Sequence, residues 1–373
     1  KGLIGFLLTG AVMFLWLLLF NQWKRLRPLH LPTGLLLFLA LAAPWHLLVA
    51  QRNPGWAHFY FIHEHWERFT TTEHGRFEPW WWFIPIVLLG LFPWTGFLWP
   101  ALRSAVAGGW ARRKESADAW FLVTWAAFVF LFFSKSQSKL IPYILPVFPP
   151  LAVVIGRWLA GAWRDNRGGP LRWGLGIFGF LCGLLGIALV VAALKPGVFR
   201  ESGQAEALRP FLLGLAGILL VGGTLAPWLA GRRGARSGLK AVLATTACFF
   251  AVLALAIPPI RSTKPLALVA RGRIAPADRV YHYHAFFHDF TYYAGRTVGL
   301  VSYQDELELQ FLPKAEREER FIDDAEFRRE WAGPGRVWLV ARRPDAQALL
   351  ADPGFHYHLI AETPTHTLLS NAP

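Results

Sequence analysis

Charge and sulfur are both scarce in this sequence. Asp, Glu, Lys and Arg make up 17% of its 373 residues, and there are two cysteines. A water-soluble fold of this length would carry more charge. Cys182 and Cys248 each sit inside an apolar run, which excludes a disulfide framework and gives no thiolate metal site. The last hundred or so residues have no Gly-rich phosphate loop, no nucleophile elbow and no metal-spaced histidine cluster. Matching inverted halves, the mark of many secondary transporters, are also missing. Residue 1 is Lys, and the first apolar run starts without the basic region and small-residue cleavage site of a signal peptide. The expectation is a chain whose N-terminal part lies upstream.

What is present is apolar surface: 54% hydrophobic residues, 15% aromatic residues and 19 tryptophans, the residue type that anchors membrane interfaces. About 20 mostly apolar residues carry a helix across hydrocarbon. Eight stretches qualify, at residues 2–20, 31–50, 80–102, 119–133, 140–161, 173–194, 211–230 and 239–258. The fourth is the shortest. The predicted fold is therefore an all-α polytopic membrane domain of about eight transmembrane helices over residues 1–260, followed by a small α/β domain over residues 261–373.

The loops alternate in charge. Residues 21–30, 103–118, 162–172 and 231–240 hold fourteen basic residues against three acidic ones, and the positive-inside rule places them in the cytoplasm. Residues 51–79, 134–139 and 195–210 hold eight basic and six acidic residues over more length, and these are expected outside, with the tail. The net charge of +14 then reads as topology and attraction to anionic lipid heads rather than nucleic-acid binding. Gly179 with Gly183, and Gly214 with Gly217, predict close helix packing.

After Pro258-Pro259 the long apolar runs stop. Strands are expected at residues 279–283, 337–341, 356–360 and 366–369, and helices at 323–331, which opens with acidic residues, and at 345–350 after Pro344. This domain reads as structural or as a contact for the acceptor.

Two loops hold the candidate chemistry. The first, residues 51–79, contains His63-Glu64-His65-Trp66-Glu67-Arg68. On an α-helix, His65 and Arg68 share a face at i, i+3, as do Glu64 and Arg68 at i, i+4. That pattern holds an arginine ready for a phosphate, whose oxygens match the guanidinium fork. It equally describes an amphipathic helix at the interface. His63 and His65 are candidate ligands for a divalent metal ion. The second loop is the hairpin Ser134-Lys135-Ser136-Gln137-Ser138-Lys139. Lysines beside a span commonly snorkel. Lys135 and Lys139, however, lie on the outer side, followed by Pro142, Tyr143 and Pro146. Those prolines interrupt backbone bonding where only a cavity or protein interior tolerates it.

Taken together, Lys1-Gly2, Pro44-Trp45, Asn53-Pro54, His65-Trp66-Glu67-Arg68-Phe69, Pro93-Trp94, and Phe133-Ser134 through Lys139-Leu140-Ile141-Pro142-Tyr143-Ile144-Leu145-Pro146 resemble the aminoarabinose transferase (ArnT-like) branch of the protein O-mannosyltransferase superfamily. The resemblance runs over the whole chain. It implies a GT-C glycosyltransferase of the bacterial inner membrane, working on the periplasmic face with a periplasmic C-terminal domain. Its donor would be a polyprenyl-phosphate sugar, and its acceptor a lipid A-like lipid, another glycan or a protein. By that resemblance Arg68, Lys139 and Tyr143, with Lys135 as helper, hold the donor phosphate, and His63 or His65 lies where the branch places a metal. The family's acidic catalytic residue is expected upstream of Lys1, so none is assigned in this chain and the chain alone is expected to be inactive. A lipid-linked sugar flippase or transporter and a non-catalytic membrane scaffold are the alternatives.

Overall fold

The computed structural model describes residues 2–67, 70, 78–195, 202–304, 309 and 313–373. Its contacts fall into two compact units, residues 1–181 with 223–242, and residues 182–222 with 243–373. The helical part contains α1 (Gly2–Phe20), α2 (Leu31–Arg52), α3 (Phe83–Gly90), α4 (Leu98–Ala105), α5 (Ala117–Lys135), α6 (Phe148–Asp165), α7 (Arg172–Leu194), α8 (Ser202–Arg233) and α9 (Ala235–Ala256).

Six helical segments among the described residues are long and apolar enough to cross a bilayer: Leu31–Arg52, Ala117–Lys135, Ile141–Asp165, Gly169–Leu194, Glu206–Arg233 and Ala235–Ala256. The expected third span is not one straight helix. Phe83–Gly90 and Thr95–Ala105 meet at 104°, with the break at Leu91–Trp94. Pro93 in that break has no N–H to continue a helical ladder. The first stretch forms the shorter apolar helix Ile4–Phe20. The count of eight therefore resolves into six full spans, one bent pair and one short helix. Large apolar side chains face outward along these helices, as at Leu36, Leu41 and Trp173, where lipid rather than water is the solvent.

Packing among the helices uses both bulk and its absence. Trp16, Leu17 and Phe20 of α1 bury against Ala117 at the start of α5, and the Trp16 indole N–H donates to Ala117 O at 2.9 Å. Gly234 turns the chain between α8 and α9 at a φ of +87°, a conformation that a side chain resists. Asn166 closes this turn by accepting from the Arg236 N–H at 3.0 Å. α7 and α8 touch backbone to backbone at Gly179, where an added Cβ would lie 2.7 Å from Gly223 O. The other predicted small-residue contacts do not form among the described residues, where an added Cβ at Gly183, Gly214 or Gly217 meets nothing within 4 Å.

The α/β part is built on a six-stranded sheet ordered β3-β2-β1-β4-β6-β5. Its strands are β1 (Arg279–Tyr283), β2 (Gly299–Val301), β3 (Phe321–Ile322), β4 (Val337–Arg342), β5 (His358–Glu362) and β6 (His366–Ser370). β1 to β4 run parallel, while β6 is antiparallel to both β4 and β5. Side chains alternate across the sheet with period 2. Tyr281, Tyr283, Leu339 and Ala341 pack on one face with Phe327 and Trp331 of helix α13 (Asp324–Trp331). Val280, Trp338 and Val340 pack on the other with Leu266, Ala267 and Ala270 of α10 (Lys264–Arg271). The expected strands at 279–283, 337–341 and 366–369 form, and the one expected at 356–360 starts at His358. β2 and β3, three and two residues long, were beyond what alternation reveals. So were α10, α11 (His288–Ala294) and α12 (Lys314–Arg320). α13 starts where its acidic residues predict, with the Asp323 carboxylate accepting from Glu326 N–H at 2.7 Å.

His282 lies on the second face with no exposed surface, its Nδ1 accepting from Phe287 N–H at 3.1 Å. Burial pushes its pKa down to about 3, and that of His366 down to about 4. The unfolded chain, with histidines near 6.5, therefore takes up protons first. Their neutral burial is fully compatible with the fold above about pH 6.5 and works against it as pH falls toward the folded values.

Gly179→Ala should destabilise the protein in detergent by roughly 1–3 kcal/mol, because the facing carbonyl cannot yield, whereas Gly183→Ala should leave the thermal midpoint unchanged. Equal melting of the two variants would remove the backbone seam. For the α/β part, acidification from pH 7.5 to 5 should lower the unfolding midpoint followed by tryptophan fluorescence, and a midpoint flat across that range would contradict the histidine argument.

Candidate functional site

The hairpin after α5 is shaped by its serines and prolines. Serine hydroxyls compete for backbone partners and end helices. Here Ser136 leaves the helix at φ −58°, ψ 144°, and its hydroxyl donates to Ser138 O at 2.9 Å. Pro142 then opens the 3₁₀-helix Ile141–Val147, which leads into α6.

Lys139 is buried at 6% exposure, whereas Lys135 is exposed on the last turn of α5. The Lys139 ammonium donates to Ser136 O at 2.6 Å and to Glu78 O at 2.7 Å. One cation thus ties the hairpin to the end of the loop that follows α2, 61 residues away in sequence. Burial lowers its pKa, and the nearby Glu78 carboxylate opposes that shift. Beside it the hydroxyls of Ser134 and Ser138 are buried with no hydrogen-bond partner among the described residues. Tyr143 is half-buried, its ring centroid 5.5 Å from that of Phe133. A buried cation with adjacent uncommitted hydroxyls is chemistry suited to an anion.

Three residues further on, Pro146 helps to line a cavity of about 250 Å³ with Leu8, Val12, Met13, Phe121, Trp125 and Val129. Its walls come from α1, α5 and the 3₁₀-helix, and apart from the Thr9 hydroxyl and the Trp125 indole N–H their side chains are apolar.

Residues Phe59–Glu67 of the first loop wind as a π-helix, with i→i+5 bonding, rather than in the α-helix from which the His65–Arg68 spacing was read. Such winding is uncommon and recurs at functional sites. His63 Nδ1 stands 2.9 Å from Glu67 Oε2, and its ring stacks on Phe59 at 5.2 Å. Arg68 lies outside the described residues, and of His65 only the backbone is described. Glu67 orients His63 as a carboxylate orients a metal-ligating imidazole. One oriented imidazole is not a metal site, however, and no group of three His, Cys, Asp or Glu side chains among the described residues converges to hold an ion.

Two contributors escaped the sequence reading. Glu78 acts through its carbonyl, which no residue type announces. His46, at the end of α2, sits among Trp45, Trp56 and Tyr60, with Trp56 stacked on Tyr60 at 5.0 Å. Pro44-Trp45-His46, closing the second span, was its only signal.

The structure superposes over 100% of its length on the crystal structure of ArnT from Cupriavidus metallidurans bound to undecaprenyl phosphate, with a TM-score of 0.74 and 26% identity. This chain is ArnT-like. It is a multi-pass membrane chain with a polytopic GT-C fold, and it covers 66% of the solved ArnT. Its residues 266–371 match the family described as aminoarabinose transferase C-terminal domain. It is 37% identical over 180 residues to the undecaprenyl phosphate-alpha-4-amino-4-deoxy-L-arabinose arabinosyl transferase of Pectobacterium carotovorum subsp. carotovorum (strain PC1), an alignment covering 47% of this chain and 31% of that protein. To the protein of the same name from Edwardsiella ictaluri (strain 93-146) it is 33% identical over 196 residues, covering 52% of this chain and 34% of the relative. The matched portion is thus about a third of these relatives' own length.

Removing the Lys139 ammonium from the ArnT-like chain takes a donor from the buried Ser136 carbonyl and from the half-buried Glu78 carbonyl. Lys139→Ala should therefore cost about 1–3 kcal/mol of stability, whereas Lys135→Ala should stay within about 0.5 kcal/mol of the parent. Thermal melts in detergent check this, and indistinguishable melts would show that the tie to Glu78 carries no weight.

Proposed function

We propose that this chain is part of an integral-membrane glycosyltransferase that moves a sugar from a polyprenyl-phosphate donor to an acceptor on the periplasmic face of a bacterial inner membrane. The observation that carries the proposal is the likeness, over the full length of this chain, to an ArnT bound to undecaprenyl phosphate, in a chain that also holds a buried lysine beside two hydroxyls with no partner among the described residues. The donor's phosphate is held by Arg68, Lys139 and Tyr143, with Lys135 at the rim. Its isoprenoid tail enters the apolar cavity between α1, α5 and Pro146. The charge distribution of the loops supports a periplasmic location for the hairpin and the C-terminal domain.

In the reaction the bond from the sugar's anomeric carbon to the phosphate oxygen breaks, and a bond to the acceptor's hydroxyl oxygen forms. The bonding pair leaves with the phosphate, so negative charge develops on the carrier. Cations and donors already fixed around that position lower the barrier without reorganising. The acceptor, a lipid A-like lipid in this reading, gives up its hydroxyl proton to a base not assigned among the residues of this chain.

The test is transfer by the complete protein in vesicles supplied with polyprenyl-phosphate sugar. Arg68→Ala and Lys139→Ala should each lower turnover by on the order of 10²-fold, the loss of one fixed donor at a developing charge. Arg68→Lys should recover part of it. Unaltered turnover would remove the phosphate-binding role, and passage of labelled donor across the bilayer without any transferred sugar would replace the transferase by a flippase.

A further inference from the structure

A second cavity, polar and of about 930 Å³, opens between α4, the start of α5 and α6. It shares no lining residue with the Lys139 hairpin or with the apolar cavity at Pro146. Its size is that of a site for a small molecule or a lipid head. Small residues make the space: Ala101, Ser104 and Ala105 on α4 face Gly161 and Ala162 on α6, and an added Cβ at Gly161 meets nothing within 4 Å.

Five cations line it. Arg25 is already engaged, pairing with Asp118 at 3.2 Å and lying over the Trp16 ring. Lys114, Arg157, Arg164 and Arg167 are different. Glu115 and Asp165 line the same cavity, yet neither comes within ion-pairing distance of any of the four, and among the described residues no other carboxylate does. Arg157 is the sharpest case. It lies eight residues inside the C-terminal end of α6, a segment long and apolar enough to span a bilayer. An arginine at such depth is costly unless it meets a counter-charge or a wet cavity, and it marks a functional position. Arg157 and Arg164 are two helical turns apart, hence on one face about 10 Å apart along the axis.

We infer that the cavity between α4 and α6, walled by the unpaired cations Lys114, Arg157, Arg164 and Arg167, is a binding site for a phosphate-bearing anion, separate from the donor site at Lys139. Guanidinium forks at two heights on one helix suit a phosphate, which offers them more oxygens than a carboxylate does. The phosphate belongs either to a lipid head entering from the bilayer or to a soluble phosphate compound. The inference is independent of the transfer reaction.

The purified protein in phosphatidylcholine nanodiscs separates the sources. In one arm phosphatidylglycerol replaces phosphatidylcholine stepwise; in the other inorganic pyrophosphate is added to pure phosphatidylcholine discs, and the thermal midpoint is followed in both. At least one probe should raise the midpoint of the parent. The doubly substituted Arg157→Gln, Arg164→Gln protein should need on the order of 10-fold more of it, the loss of two charge-assisted contacts. Arg172→Gln, an exposed arginine outside the cavity, should behave as the parent. A response to phosphatidylglycerol alone identifies a lipid head, a response to pyrophosphate alone identifies a soluble ligand, and a response to both shows that the phosphate group itself is read. Should the double variant fail to fold, Lys114→Gln provides the same comparison with a weakening of about 2- to 5-fold. No midpoint shift in the parent, or equal loss in the Arg172→Gln control, would overturn the site.

Discussion

Hydrocarbon offers no partner to a peptide N–H or C=O, so each break in a membrane helix has to be repaired by the protein itself. Two of the irregular places among the described residues are built by that rule. Where the third span bends, the Thr95 hydroxyl reaches across to Leu88 O at 2.6 Å and Trp94 N–H to Leu91 O at 2.6 Å. Where α5 gives way to the hairpin, Ser136 and Lys139 supply the missing donors. The residues that cap the broken backbone are also the ones with chemistry to offer.

That double duty has an electrostatic side. An ammonium held in a poorly hydrated spot interacts with an incoming anion far more strongly than one in bulk water. The cost of keeping it there falls on the carbonyls of Ser136 and Glu78, and the Glu78 carboxylate helps to hold the proton on. Lys135, four residues earlier and exposed, has neither the cost nor the effect. Burial within the protein, not residue type, separates the two lysines.

Periodicity and length made the helical part legible. A run such as residues 31–50 has few ways to satisfy its backbone other than as a helix, and α2 occupies Leu31–Arg52. Residues 80–102 were equally apolar, but hydropathy does not register a right-angle bend. Only Pro93 hinted at it. In the α/β part, β1 and β4 announced themselves through β-branched and aromatic alternation, while β2 and β3 owe their existence to neighbours already in place. The hairpin lysines and Tyr143 were legible because prolines beside a span demand explanation. The Glu78 carbonyl and the π-winding of Phe59–Glu67 were not, since backbone geometry leaves no letter in the sequence. The small-residue pairs show the reverse error: Gly179 packs closely as expected, but Gly183, Gly214 and Gly217 meet nothing within 4 Å among the described residues.

The sheet order has a consequence for biosynthesis. β6 lies between β4 and β5 and pairs with both, through Leu368 and Leu369 among others, so β5 has no place in the sheet until β6 arrives. Every residue of β6 is buried. While the chain is still emerging, the parallel strands β1 to β4 can assemble, but β4 keeps an open edge where β6 belongs. Synthesis must therefore deliver residues 366–370 before that edge, an invitation to strand exchange with other chains, is closed.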